Sequence, residues 1–218
     1  MSILTKKEIV ERINNNQIAF SPSLDAYQIQ PNSIDLRVGW TFYIPETWKY
    51  NEEGRVAVRP NYLEYQKTEE YFKMIRLKPV QFFEILPNEF VIISTLENIS
   101  LNCGDLNATL HPRSSIIRRG LQIQTGVVDC RYQGQLMIPV FNTSNQVMKI
   151  FPGERFCQLQ FCLLASDLDP EAAKKHGVNE GKYIKSTPYS LEAKTDPHDE
   201  IDLIKAGKLE ELKDKFKL

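Results

Sequence analysis

Three runs in the second half of the chain decide the fold: Gly120-Leu-Gln-Ile-Gln124, Leu136-Met-Ile-Pro-Val-Phe141 and Arg155-Phe-Cys-Gln-Leu-Gln-Phe161. Each run is short, contains β-branched or aromatic residues and is separated from the next by Gly, Pro or Asn, as β-strands are. Earlier runs of the same kind lie at 40–44, 81–86 and 90–94. Many short strands at even spacing predict a mainly β fold, either an antiparallel barrel or a jelly-roll sandwich.

Helices are predicted only at the two ends. Thr5 followed by Glu8 is a capping-box pattern, and Ile9, Val10 and Ile13 then repeat at helical spacing. Residues 199–218 carry apolar side chains near helical spacing and predict one amphipathic helix that docks on the barrel or on a neighbouring subunit. We therefore expect a β domain over 1–165, including an excursion at 45–79 without an assigned function, and a C-terminal lid and helix over 166–218.

Composition excludes several classes of function. The chain has 218 residues, 42% of them hydrophobic, and its 27 Lys+Arg against 28 Asp+Glu give a net charge of −1. No nucleic-acid or membrane partner is expected from this balance, and no apolar run is long enough to span a bilayer, so we expect a cytoplasmic protein. The four cysteines form no CxxC pair and the H-x-E with P-C-x-x-C pattern of zinc deaminases is missing, which argues against a zinc site.

Three polar segments interrupt the strand pattern and are candidate binding sites. Residues 112–120 place two serines among three arginines, which suits a polyphosphate, although a charged turn would look the same. Residues 126–134 hold Asp129 and Tyr132 in a glycine-bounded hairpin, where the aspartate could orient a water or simply cap its own turn. Residues 151–159 place Gln158 in an apolar strand, where a structural role is the common one.

Taken together, these segments resemble the motifs of the dUTPase and dCTP deaminase superfamily. PRSS at 112–115 resembles the second motif, GVVDCRYQGQL at 126–136 the third and PGERFCQL at 152–159 the fourth. IQPNSIDLRVG at 29–39 resembles the first motif in its dCTP deaminase form. The resemblance implies a jelly-roll-like distorted β-barrel, a homotrimer with active sites between subunits, and a Mg²⁺ held mainly by the phosphates and waters of a pyrimidine deoxynucleotide such as dUTP.

The same resemblance implies roles for individual residues. Asp129 would orient the attacking water, Gln158 would contact that water or a phosphate, and Tyr132 would pack under the deoxyribose. The phosphate-binding set would be Arg113, Ser114, Ser115 and Arg118. The base would be read by the hairpin that contains Gly126, Val128 and Gln135. Asp35 would reach the metal through water, and the lid would supply Lys182, Tyr183 and Lys185.

One position separates the two branches of this superfamily. In the deaminases a glutamate ten residues after the third-motif aspartate moves the protons, and that position here is Pro139, which has no proton to transfer. We therefore expect a dUTP diphosphatase that releases dUMP and pyrophosphate. The alternatives are a dCTP deaminase, either alone or bifunctional with dUTP hydrolysis, and a nucleotide-binding regulator without catalysis.

Overall fold

The computed structural model describes residues 2–61, 63, 71–176, 179–180, 185–189, 191 and 196–217. The helices are α1 (Lys6–Asn14), α2 (Ser114–Ile117), α3 (Pro170–Lys174), α4 (His198–Lys205) and α5 (Leu209–Lys215). The strands are β1 (Ile18–Ser21), β2 (Ile34–Pro45), β3 (Trp48–Asn51), β4 (Gly54–Ala57), β5 (Phe72–Arg76), β6 (Phe83–Ile85), β7 (Phe90–Leu101), β8 (Leu106–Pro112), β9 (Leu121–Ile123), β10 (Gly126–Val128), β11 (Gln133–Asn142), β12 (Met148–Ile150), β13 (Arg155–Leu163), β14 (Lys175–His176), β15 (Asn179–Glu180) and β16 (Lys185–Ser186).

Ten of these strands form one curled sheet. Its main path runs β10-β8-β13-β2-β7-β11-β16, and β1, β5 and β9 pair with β7, β2 and β11. All its pairs are antiparallel except the parallel pair of β11 with β16. The predicted mainly β fold with an N-terminal helix and a helical C-terminal tail is confirmed.

The core is built by side chains from most strands of this sheet. Phe42, Phe156 and Phe161 are fully buried there with Ile, Leu and Val side chains from most strands. The rings of Phe42 and Phe83 stack with centroids 4.5 Å apart. Burying each large apolar side chain contributes about 1.5–3 kcal/mol, so this continuous core holds together strands that are distant in sequence.

The N-terminal helix begins as its sequence predicts. The Thr5 amide donates to Glu8 Oε2 at 2.7 Å, and Ile9 faces the core with no exposed surface. A bidentate pair of Arg12 with Asp105, at 2.9 and 2.7 Å, ties the helix to the turn before β8. Capping and one ion pair therefore set the position of α1 on the barrel.

One prediction about the remainder of the chain needs correction, and the excursion can be described in more detail. The single helix predicted over 199–218 is two helices, because the chain turns at Gly207, whose φ of +71° is left-handed and ends α4. The 45–79 excursion contains ordered strands: β3 and β4 form a hairpin, and β5 pairs with β2 from Thr41 to Pro45. The division into domains at 165 stays a prediction.

Candidate functional site

A buried carboxylate lies at the centre of one group of predicted site residues. Asp35 on β2 is 1% exposed, and its Oδ2 lies 2.9 Å from Arg113 Nε and 3.1 Å from an Arg155 guanidinium nitrogen. Arg113 also donates to the Arg155 backbone carbonyl at 2.8 Å. We call Asp35, Arg113 and Arg155 the arginine cluster. Its two guanidiniums share one carboxylate, so the cluster keeps a net positive charge that suits a phosphate.

Two opposing effects act on the pKa of the Asp35 carboxyl. Burial raises the pKa of its carboxyl, and the positive charges of Arg113 and Arg155 oppose that rise. Sequence reasoning assigned no role to Arg155. The available signal was an arginine among the apolar residues of a strand, where an unpaired charge would be costly.

The other predicted phosphate residues surround this cluster. Gln158 on β13 lies in register with Asp35 on one side and His111 on the other, and its Oε1 accepts from Ser33 Oγ at 3.3 Å. Ser114 and Ser115 begin the short helix α2, and Arg118 follows it, all with exposed side chains. The fold therefore brings the motifs at 29–39, 112–115 and 152–159 together at one end of β2, β8 and β13.

The hairpin with Asp129 forms a second group. Asp129 lies between β10 and β11 with an exposed side chain, whereas Tyr132 is 8% exposed and its hydroxyl donates to the Gln135 carbonyl at 3.0 Å. This burial raises the pKa of the Tyr132 hydroxyl far above its usual value, so it stays protonated. The hairpin therefore exposes the side chain of its aspartate and buries that of its tyrosine.

The three residues predicted to contact the base have different surroundings in the structure. The Gln135 amide donates to the carbonyls of Thr95 and Leu96 at 2.9 and 3.1 Å. The Val128 side chain lies in the core, and Gly126 is exposed, with no atom within 4 Å of the position that a Cβ would take there. Any base contact by Val128 would therefore have to come from its backbone.

The strand register separates the two groups within one chain. Val128 pairs with Ala108 on β8, so Asp129 lies beyond Ala108, and Arg113 follows the opposite end of the same strand. At about 3.4 Å per residue this separation is roughly 20 Å along β8. Asp129 and Arg113 of a single chain are too far apart to contact neighbouring groups of one nucleotide.

The predicted lid is described only in part. Lys182 and Tyr183 lie outside the described residues. The backbone of Lys185 and Ser186 forms β16 and pairs with Gln133 and Gly134 at the base of the hairpin. The Tyr43 hydroxyl donates to the Pro188 carbonyl at 2.9 Å, so this C-terminal segment also contacts β2 of its own chain.

Asp35 does not fit a direct metal ligand, because it is buried and both guanidiniums contact its Oδ2. In the part of the chain that the structure describes, no group of three or more His, Cys, Asp and Glu side chains could hold a metal ion. The water-mediated metal contact of Asp35 stays a prediction. No described helix is long and apolar enough to cross a membrane.

Comparison with known proteins identifies the relatives of this chain. Over 202 residues it is 30% identical to the "dCTP deaminase, dUMP-forming" of Methanobrevibacter smithii, covering 90% of this chain and 97% of the relative. The protein of the same name from Persephonella marina is 36% identical over 165 residues, covering 73% and 82%. The solved 2'-deoxycytidine 5'-triphosphate deaminase from Agrobacterium tumefaciens has the same fold, with a TM-score of 0.56 at 20% identity, covering 73% of this chain and 47% of that one.

These relatives overturn the expected activity. The chain was expected to be a dUTP diphosphatase because Pro139 replaces the deaminase glutamate, and that expectation is wrong, since the relatives carry the name of the alternative, a dCTP deaminase. Pro139 lies in β11 opposite Ile92, and its carbonyl accepts from the Gln124 amide at 3.0 Å. One side chain on one strand therefore does not decide the activity of the whole domain. The family model of dCTP deaminase-like proteins matches residues 3–164, and the chain belongs to that family.

Proposed function

We propose that this protein converts dCTP to dUMP, as its relatives are named to do. The observation that carries the proposal is the hairpin in which the Asp129 side chain is exposed while Tyr132 is buried, with its hydroxyl bonded to the Gln135 carbonyl. A carboxylate in this position can orient and deprotonate water, and the protonated tyrosine offers a flat surface for a sugar. A protein that only binds a nucleotide has no need of the carboxylate.

The reaction uses two waters. One adds to C4 of cytosine and the amine leaves as ammonia, which converts the base to uracil. A second attacks the α-phosphorus, and the bond to the bridging oxygen breaks to release pyrophosphate. With proline at 139, Asp129 is the only carboxylate in the segment 126–138. We assign to it the positioning of water and the transfer of protons in both steps.

The arginine cluster supplies the binding of the phosphates. Arg113 and Arg155 stabilise negative charge on the triphosphate, while Gln158 and the hydroxyls of Ser114 and Ser115 add neutral hydrogen bonds. Each charge-assisted contact contributes about 1.5–3 kcal/mol, so loss of one should weaken binding without abolishing it. Arg118 adds positive charge at the edge of the same site, and a phosphate contact by Lys185 stays a prediction.

We further propose that the complete site forms between copies in a homotrimer. The separation of roughly 20 Å between Asp129 and Arg113 along β8 supports this, because a second copy can bring its hairpin to the arginine cluster of the first. A Mg²⁺ would arrive with the triphosphate and neutralise part of its charge, with Asp35 reaching it only through water.

The decisive experiment measures ammonia and pyrophosphate separately. The native protein with dCTP and Mg²⁺ should release both, and Asp129→Asn should still bind dCTP but lose most of kcat for both products. The matched control is Asp167→Asn, an exposed aspartate outside the hairpin, which should leave both rates unchanged. An Asp129→Asn variant that releases ammonia at the native rate would remove this residue from deamination.

A nucleotide-binding regulator is the second candidate, and Pro139 is the observation that favours it. Without the expected glutamate, the pocket could keep its affinity and lose its chemistry. Tight binding of dCTP by calorimetry with neither ammonia nor pyrophosphate released would support the regulator. Restoration of ammonia release in Pro139→Glu would show that this one side chain is what the inert protein lacks.

A further inference from the structure

Glu97 is a buried carboxylate that the proposed chemistry does not use. It lies on β7, is 1% exposed and accepts two hydrogen bonds, from the Gln28 side-chain amide at 2.6 Å and from the Arg37 backbone amide at 3.0 Å. Burial raises the pKa of its carboxyl. Placing such a group in the interior is costly, so its two donors identify what it stabilises.

The Arg37 amide belongs to an irregular part of β2. Opposite it, β13 shifts register between Arg155 and Cys157, which leaves Phe156 as an extra residue. On its other side β2 shifts register against β7 between Val38 and Phe42. A bulge of this kind leaves backbone groups without ladder partners and re-aims neighbouring side chains. The Glu97 carboxylate accepts the hydrogen bond that a regular ladder would provide at Arg37.

The second donor connects Glu97 to the arginine cluster. Gln28 is 2% exposed, and its side-chain nitrogen donates both to Glu97 and to the backbone carbonyl of Asp35 at 2.9 Å. Its side-chain oxygen accepts from the Asp25 amide at 3.1 Å. One buried amide therefore joins Glu97 to the residue that holds both guanidiniums.

We propose that Glu97 is a positioning residue that holds Asp35, and through it Arg113 and Arg155, in the orientation that binds the triphosphate. The proposal rests on the proposed function for its ligand. Glu97 is tied to the backbone of this segment at two points, at the Arg37 amide directly and at the Asp35 carbonyl through Gln28. The side chain of Arg37 is engaged elsewhere, with Asp25 at 2.7 Å, so the backbone amide is the part of Arg37 that Glu97 contacts.

Glu97→Gln is the variant that tests this arrangement with the least change in volume. A glutamine has one accepting oxygen and one donating nitrogen, so it can accept from only one of the two donors and turns an N–H towards the other. The segment around Asp35 should then shift, and the two arginines should lose their fixed geometry while the core stays packed.

The matched control is Asn142→Ala. Asn142 has no exposed surface and donates to the carbonyls of Ile85 and Gln146, so its removal costs stability in the same barrel. Gln135 on β11 pairs with Asn98 on β7, the residue next to Glu97. Asn142 is seven residues further along β11, at the end of the strand, so the control lies away from Glu97. A residue that acts through overall stability alone would behave in the same way as this control.

The first readout is independent of any nucleotide. In the native protein, the Arg113 Nε–H bond to Asp35 should give a resonance that exchanges slowly with water in ¹H–¹⁵N NMR. Glu97→Gln should accelerate that exchange at least tenfold, and Asn142→Ala should leave it unchanged. Unchanged exchange in Glu97→Gln would overturn the proposal.

The second readout compares ligands by calorimetry in folded variants. For Glu97→Gln we expect Kd for dCTP to rise about tenfold, Kd for deoxycytidine to stay near the native value, and kcat at saturation to fall less than twofold. Equal losses for both ligands, or a dCTP affinity equal to that of Asn142→Ala, would contradict the proposal. A native protein that binds no dCTP would instead contradict the proposed function and leave the exchange result to decide the role of Glu97.

Discussion

Asp35 shows how one residue can hold two charges in place. Its carboxylate is buried, and its Oδ2 contacts both Arg113 and Arg155. Asp35→Asn leaves both guanidiniums poorly compensated, so we expect the free energy of unfolding to fall by roughly 3 kcal/mol, as when one partner of a buried pair is removed. Urea denaturation measures this loss.

Asp25→Asn is the matched comparison for Asp35. Asp25 also pairs with an arginine, at 2.7 Å from Arg37, but its side chain is exposed. Exposed pairs contribute about 0–1 kcal/mol, so Asp25→Asn should be far milder. Equal losses in the two variants would mean that the arginine cluster is not the buried centre described above.

Cys103 offers a test of electrostatics by pH. Burial, followed by the neighbouring Asp105, raises the pKa of its thiol to about 11. Because the thiolate is the reactive form, alkylation by iodoacetamide at pH 8 should be at least about 100-fold slower than in urea-unfolded protein, where the pKa is about 8.5. The rate should keep rising up to pH 11. Asp105→Asn should lower the pKa and speed the reaction, and a rate already constant above pH 9 would contradict the assignment.

Among the elements, the pairing of β11 with β16 depends on a glycine. A Cβ placed on Gly134 would lie 2.6 Å from the Ser186 nitrogen and 2.7 Å from its carbonyl oxygen, both backbone atoms that cannot move alone. Gly134→Ala should therefore release β16 from the hairpin. Hydrogen exchange at 185–189 should accelerate more than tenfold, while the amides of β7 stay protected.

Gly126→Ala is the control for this element, because no atom lies within 4 Å of its Cβ position and it belongs to the same hairpin. Its exchange pattern at 185–189 should match that of the native protein. If Gly134→Ala also showed the native exchange pattern at 185–189, the contact between β16 and the hairpin would not require a glycine at position 134.

For the whole molecule, the proposed site between copies predicts complementation. Asp129→Asn should be nearly inactive alone, and Arg113→Ala, whose binding is weakened, should be strongly impaired at dCTP concentrations well below its raised KM. If one copy supplies Arg113 and the next supplies Asp129, random mixed trimers at equal ratio should place both intact residues in about a quarter of sites. Refolding the two variants together and measuring product release tests this, with light scattering to establish the trimer. If the refolded mixture released product no faster than the two variants measured separately, the complete site would lie within one chain.

The sequence predicts those parts of the site whose residues are close together in the chain, and not those whose partners are distant in sequence. Arg113, Ser114 and Gln158 could be found from sequence, because clustered donors at predicted turns point to phosphate binding. The roles of Glu97 and Arg155 could not be predicted, since in the sequence each is an isolated charged residue within an apolar strand. Their partners lie 60 or more residues away in the chain, and only strand pairing brings them together. The activity expected from Pro139 is wrong, because one side chain does not represent the framework of a whole domain.

By itself, the sequence determined the class of fold, the start of α1 and the approximate positions of six strands, β2, β6, β7, β9, β11 and β13, because side-chain alternation, turn residues and helix capping act between near neighbours. Only the tertiary structure decided that β2, β8 and β13 bring Asp35, Arg113 and Arg155 to one point, and that Asp129 lies away from them along β8. Register between distant strands depends on how the apolar faces pack into one core, and bulges within that packing aim the charged side chains. Gly207 is a further example, since its left-handed conformation divides into two helices a segment whose apolar pattern predicts one.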